Sequence, residues 1–234
     1  CMRHPVAGSV ADFASVSRVP VLNGGDGANE HPTQALLDLY TIRRELAGTG
    51  GRSIDGLKIA MIGDLRHGRT VHSLGRLLSL YDNVEVVLIS PEELTLPTSI
   101  IEHMRSAGAK VSISHELTNS IRDVDIVYST RIQEERFTTK EDADLYRGKF
   151  RLNQAIYTEF CQPNTVIMHP LPRDSRADAN ELDSDLDDNP NLAIFRQADN
   201  GVVVRMALFA LVLDVADKIH EFSYDVRWYN SRQV

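Results

Sequence analysis

Between residues 57 and 169 the apolar pattern of this chain switches repeatedly between two periods, and that alternation constrains the fold more than any other feature. Leu57–Gly63 (LKIAMIG) is a continuous apolar run closed by glycine, the form of a strand buried on both faces. Thr70–Leu80 then carries apolar residues at 71, 74, 77, 78 and 80, which is helical spacing. The pattern continues with a strand at Val84–Ile89, a helix at Pro97–Ala107 and a strand at Lys110–Ser114. A short helix at Ser120–Val124, a strand at Asp125–Ser129, a helix at Asn153–Cys161 and a strand at Thr165–His169 complete it. Strands that alternate with helices predict an α/β fold with a parallel sheet covered by helices on both faces.

The flanks are less regular. Val19–Leu22 reads as a short strand, followed by the glycine-rich Asn23–Gly27 and a helix that starts at Pro32. Gly48-Thr49-Gly50-Gly51 is the best linker candidate, so residues before it are expected to form a separate, incomplete α/β unit. A final helix over about Val204–Ala216 is so apolar (MALFALVL) that burial on several sides is expected. The longest apolar runs fall far short of the ~20 residues a membrane helix needs, so no membrane association is expected. Two cysteines, Cys1 and Cys161, cannot make a disulfide framework, which favours a reducing, cytoplasmic compartment. The start lacks a signal-peptide shape, and methionine stands second, so the chain is not expected to begin where its gene does. The net charge of −8 argues against nucleic acid as a partner, since non-specific binding needs a cationic surface. Asp178, Glu181, Asp183, Asp185, Asp187 and Asp188 crowd one stretch that reads as a solvated loop; it lacks the glycine and closing glutamate of a calcium loop.

Ligands of open parallel sheets bind beyond the carboxyl ends of the strands. Three successive strand ends lead into Asp64–Thr70 with Arg69, into Thr130–Gln133 with Arg131, and into Pro170-Leu171-Pro172-Arg173. Two arginines converging in an acidic chain either grip a ligand with two anionic groups by bidentate forks or pair with local acids. Gly63–Thr70 nearly matches a nucleotide-phosphate loop, but Arg69 stands where lysine is required and no magnesium-holding aspartate ends a later strand. His31-Pro32-Thr33-Gln34 opens a helix, where the positive end stabilises an anion or a polarised carbonyl and keeps the imidazole neutral. The same histidine could serve only as a cap.

Together these residues resemble the aspartate carbamoyltransferase family. The matching stretches are Met2–Pro5, Pro20–Thr41, Met61–Leu74, Tyr128–Phe137, Met168–Arg173 and Phe195–Leu213, in family order. The sister ornithine family shares His-Pro-x-Gln but is expected to carry cysteine where this chain has Pro170, together with a Ser-Met-Gly loop that is absent here. The resemblance implies a two-domain transcarbamoylase fold with parallel sheets and an incomplete first domain. Residues 1–48 would be the C-terminal half of the carbamoyl-phosphate domain, and 50–188 the aspartate-binding domain. Residues 189–234 would be a helix returning to the first domain plus a tail. The family's Ser-Thr-Arg-Thr phosphate loop has no counterpart in these residues, so they are not expected to hold phosphate alone.

The implied reaction is transfer of a carbamoyl group from carbamoyl phosphate to the amine of L-aspartate, in pyrimidine biosynthesis. By resemblance Arg3 and His31 would be catalytic, polarising the carbonyl. Gln34, Pro170, Leu171 and Pro172 would join them around carbamoyl phosphate. Arg69, Arg131 and Gln133 would bind aspartate. No metal or organic cofactor is expected. The expected assembly is a homotrimer with shared active sites, which could sit in a larger pyrimidine-synthesis assembly. Another transcarbamoylase, or an inactive homologue with a structural role, is the alternative.

Overall fold

The computed structural model describes every residue except 49, 133–145, 147, 175, 177, 178 and 223–234. The central element is a five-stranded parallel sheet of β3 (Lys58–Ile62), β4 (Glu85–Ile89), β5 (Lys110–Ser114), β6 (Ile126–Ser129) and β7 (Val166–Met168). Its strand order is β5-β4-β3-β6-β7. The chain runs outward from β3 to β5, returns to the other side of β3 as β6, and continues to β7. That reversal puts a topological switch point between the carboxyl ends of β3 and β6, where open α/β sheets form their binding crevice.

Side chains alternate across this sheet with period two. Ile59, Met61, Val86, Leu88, Ile126, Tyr128, Val166 and Met168 join one buried cluster. Ala60, Ile62, Ile89, Val127 and Ile167 join another with Leu152, Tyr157, Leu182 and Leu186. Both faces are covered, which is why the strands read as unbroken apolar runs. The helices that follow the first two of these strands, α3 (Arg69–Leu78) and α4 (Thr98–Ser106), cover the first face with Val71, Leu74, Ile100 and Met104. The helix α5 (Gln154–Phe160) covers the second, and Asn153 Oδ1 caps it by accepting from Ile156 N at 2.8 Å.

The first 48 residues form a two-stranded parallel sheet of β1 (Met2–His4) and β2 (Asn23–Asp26), with α1 (Ser9–Val16) and α2 (Pro32–Gly48). Helix α2 also sends Ala35, Ile42 and Leu46 into the core of the larger sheet, so the two units share apolar packing. The long helix α6 (Ile194–Val212) lies against α2 through polar pairs. Arg196 Nε meets Glu45 Oε1 at 2.8 Å, and Asn200 Nδ2 donates to Thr41 Oγ1 at 2.9 Å. A short helix α7 (Ile219–Phe222) follows.

Three expectations need correction, and one helix, α1, lies outside those the sequence pattern predicts. The strand expected at Val19–Leu22 lies four residues later, at Asn23–Asp26, because the glycine backbone pairs with Met2–His4. Helix α1 carries no readable signal: Phe13 and Val16 are exposed, and the apolar positions mark no buried face. The final helix begins ten residues earlier than expected and ends at Val212. Among the described residues its apolar half is exposed, with Met206 66% and Leu211 67%. The acidic stretch is a solvated loop only in part: Asp185, Asp187 and Asp188 are exposed, Asp178 lies outside the described residues, and Glu181 is buried. Asp183 pairs with Arg151, Asp187 with Arg173 at 2.7 Å, and Glu181 with His169 at 2.7 Å, while Leu182 and Leu186 are buried between them. No described helix is long and apolar enough to cross a membrane.

Candidate active site

At the switch point, Gly63 ends β3 with φ +111°, and a Cβ there would sit 2.1 Å from the Thr130 carbonyl oxygen. Only glycine lets the two strand ends approach so closely. Thr130 in turn donates from N and Oγ1 to the Ile62 carbonyl, at 2.8 and 2.9 Å. The residues just beyond these ends are Arg69, at the start of α3, and Arg131. Both line a cavity of about 150 Å³, together with Arg3, His169, Pro170, Leu171 and Pro172. The three strand ends singled out in the sequence therefore do meet, and Arg3 reaches the same space from β1.

Arg3 also lines a second cavity of about 230 Å³, with His31, Thr33, Gly24, Arg205 and Phe209 among its walls. The two cavities thus share one arginine. Arg69 is held against β2 and the turn after it: its Nη1 donates to the Gly27 carbonyl at 3.1 Å, and its guanidinium lies against Gly25. A Cβ on Gly25, whose φ is +129°, would meet Arg69 Nη1 at 3.1 Å.

His31 sits at the start of α2, its carbonyl accepting from the backbone N–H of Gln34 and Ala35 at 3.0 and 3.2 Å. Its own N–H donates to Ser73 Oγ at 2.9 Å, which ties the helix start to α3. Burial lowers its pKa to about 4, and the charges of Arg69, Arg3 and Arg205 push the same way. At neutral pH the ring is an uncharged imidazole, able to donate one hydrogen bond into an arginine-lined space. That satisfies the expectation of a neutral histidine at the helix end, with a cause the sequence only half supplies: burial and three arginines act alongside any helix dipole.

The remaining expected residues divide. Pro170, Leu171 and Pro172 are in place, in a turn where the Leu171–Pro172 bond is cis and Leu171 has φ +57°. Gln34 is not among the residues lining either cavity. Its Nε2 donates to Asp38 Oδ1 at 2.9 Å, inside the protein. Gln133 lies outside the described residues. Nothing in the sequence pattern marks Asp38, which is wholly buried and accepts from Gln34, Gln197 Nε2 (2.6 Å) and Tyr128 OH (2.7 Å). Burial raises its pKa to about 6 against the lowering effect of those donors. Arg205, inside a stretch otherwise read as plain apolar helix, is equally unmarked, because its role depends on contacts across 170 or more residues. Among the described residues no group of three or more metal-binding side chains occurs.

Known proteins share this sequence and fold. The family described as aspartate/ornithine carbamoyltransferase matches in two parts, the carbamoyl-P binding domain over residues 1–44 and the Asp/Orn binding domain over residues 55–212. An aspartate carbamoyltransferase catalytic subunit from Saccharophagus degradans is 72% identical over 232 residues, covering 99% of this chain and 68% of the relative. The solved catalytic subunit of M. Jannaschii aspartate transcarbamoylase is 41% identical with a TM-score of 0.78, over 92% of this chain and 66% of that one. The Trypanosoma cruzi aspartate transcarbamoylase in complex with carbamoyl phosphate and aspartate is 38% identical with a TM-score of 0.79, over 89% of this chain and 64% of that one. The chain thus spans about two thirds of the length of the relatives it matches. Nearly every residue of it aligns with a catalytic subunit of one kind, its two-part fold is theirs, and the chain belongs to the aspartate carbamoyltransferase family.

Proposed function

We propose that the protein transfers the carbamoyl group of carbamoyl phosphate to the amine of L-aspartate, giving N-carbamoyl-L-aspartate and phosphate. The observation that carries this reading is the pair of adjoining cavities joined by Arg3. One offers Arg69 and Arg131 to a dicarboxylate, and the other offers His31 beside Arg3 and Arg205. In the proposed reaction Arg131 grips the side-chain carboxylate of aspartate and Arg69 the α-carboxylate. Arg3 and the neutral His31 donate to the carbonyl oxygen of carbamoyl phosphate, so that negative charge developing on it meets donors already in position. The backbone carbonyls of Pro170 and Leu171 hold the carbamoyl amide, joined by the side-chain carbonyl of Gln34, whose Nε2 is anchored on Asp38. Most of the acceleration comes from holding two small anions in line, which is worth about 7–11 kcal/mol when the geometry is right. The departing phosphate takes the amine proton. A homotrimer with shared sites and a role in pyrimidine synthesis rest on the family resemblance, and a cytoplasmic location on the sparse cysteines.

The test is direct. The complete protein, given carbamoyl phosphate and L-aspartate, should form carbamoyl aspartate, and L-ornithine should not replace aspartate. Product formation with ornithine and none with aspartate would overturn the assignment of the second substrate.

A further inference from the structure

Leu171 is the wall of the candidate site and also its most strained residue. A leucine at φ +57° is uncommon and persists only where its surroundings over-determine it. The contacts that do so run through His169, on the cavity wall, to Glu181 behind it. His169 is buried, its backbone N–H donating to Gln197 Oε1 at 2.9 Å. Its Nδ1 accepts the backbone N–H of Leu171 at 2.9 Å, so Nδ1 keeps a lone pair and the ring proton belongs on Nε2. That nitrogen lies 2.7 Å from Glu181 Oε1, at an angle that makes no hydrogen bond, so the carboxylate acts on it through its negative charge at close range. Glu181 is itself buried, and both of its carboxylate oxygens accept from Asp174 N, at 3.2 and 3.3 Å. One carboxylate therefore holds both ends of the turn 169–174 that carries Pro170, Leu171 and Pro172.

We infer that Glu181 is a positioning residue for the reaction, fixing His169 in its Nε2–H tautomer so that Nδ1 can lock the Leu171 backbone against the substrates. The inference rests on the proposed function for its kinetic effect but not for its structural one. Glu181 comes from the acidic stretch that reads as solvated loop, so the stretch acts as a strap whose buried member shapes the site. Main-chain and side-chain hydrogen bonds of this kind aim a site residue without touching the ligand.

The test has two readouts on the complete protein. Nitrogen-15 NMR of the unsubstituted protein should show His169 with Nδ1 unprotonated and Nε2 protonated; a protonated Nδ1 overturns the inference whatever the variants do. In Glu181→Ala the Leu171 amide should lose its exchange protection. Turnover should fall by about 10- to 100-fold, the scale of a misplacement near 1 Å, with the KM for aspartate changing far less because Arg69 and Arg131 stay in place. Glu181→Gln, which keeps one acceptor, should recover part of the turnover. A folded Glu181→Ala protein with parental turnover and a protected Leu171 amide would sink the idea. Absence of carbamoyl aspartate formation by the parent would instead count against the proposed reaction and leave the tautomer measurement standing.

Discussion

At the scale of single residues, the site depends on keeping His31 uncharged among arginines. Its pKa, near 4, sets a sign that can be checked. A histidine depressed from its ordinary 6.5 contributes stability that is fully present above 6.5 and is lost as pH falls through about 4. The His31 ring protons should accordingly titrate in NMR near pH 4, while an exposed histidine titrates near 6.5; a midpoint above 6 would show that neither burial nor the arginines act on it. His31→Ala should lower turnover by about 10²-fold or more, because the lost donor serves charge that develops only in the transition state. Turnover within a few-fold of the parent would reduce His31 to a helix cap. Arg131 makes the contrasting case. Its loss removes a contact to the ground-state substrate, so Arg131→Ala should raise the KM for aspartate by at least about 30-fold, the equivalent of ~2 kcal/mol. Equal weakening of carbamoyl phosphate binding would contradict its placement.

At the scale of elements, the β3–β6 junction decides whether the cavity exists at all. Gly63→Ala would drive a methyl group into the Thr130 carbonyl, 2.1 Å away, at a φ of +111° that alanine resists. We expect a loss of at least about 2 kcal/mol in stability, read as a lower urea midpoint, and a weaker grip on aspartate as Arg69 and Arg131 separate. Unchanged stability would mean that the strand ends part without cost. The strands of this sheet are legible in the sequence within a residue or two, because burial on both faces leaves apolar runs and the intervening helices carry their own period. The same logic places Arg69, Arg131 and Pro170–Pro172 at strand ends. It fails where side chains carry no signal. The strand Asn23–Asp26 is half glycine and exists through its pairing with Met2–His4, and α6 begins with Gln197 and Asn200 turned inward. Glu181 looks like one charge among many because its partner His169 lies twelve residues away on another element. Gln34 shows the opposite failure: a motif residue expected in the cavity commits its Nε2 to Asp38, one helical turn along.

At the scale of the whole molecule, Asp38 is the joint. It lies on α2 yet bonds Tyr128 of β6 and Gln197 of α6, and Gln197 also holds the His169 backbone. The first unit, the larger sheet and the final helix thus meet at one carboxyl group with no exposure to solvent. Burial raises its pKa from 3.8 to about 6. A carboxyl whose folded pKa is raised contributes stability that is fully present below about 3.8 and is lost as pH rises through about 6. Asp38→Asn keeps an acceptor for the glutamines and a donor for the Tyr128 oxygen but cannot ionise. Its absolute stability depends on how well the amide repacks, so the informative quantity is the difference from the parent. His31 acts in the opposite direction over an overlapping pH range, but it is present in both proteins and drops out of that difference. Between about pH 4 and pH 7 the difference in unfolding free energy should move in favour of Asp38→Asn by about 2–3 kcal/mol, since a tenfold change in an acid's dissociation constant is worth about 1.4 kcal/mol. Urea unfolding of both proteins across that range would measure it. A difference that stays flat with pH would show that Asp38 remains ionised throughout, held by its three donors, and that the joint between the units is a charged one.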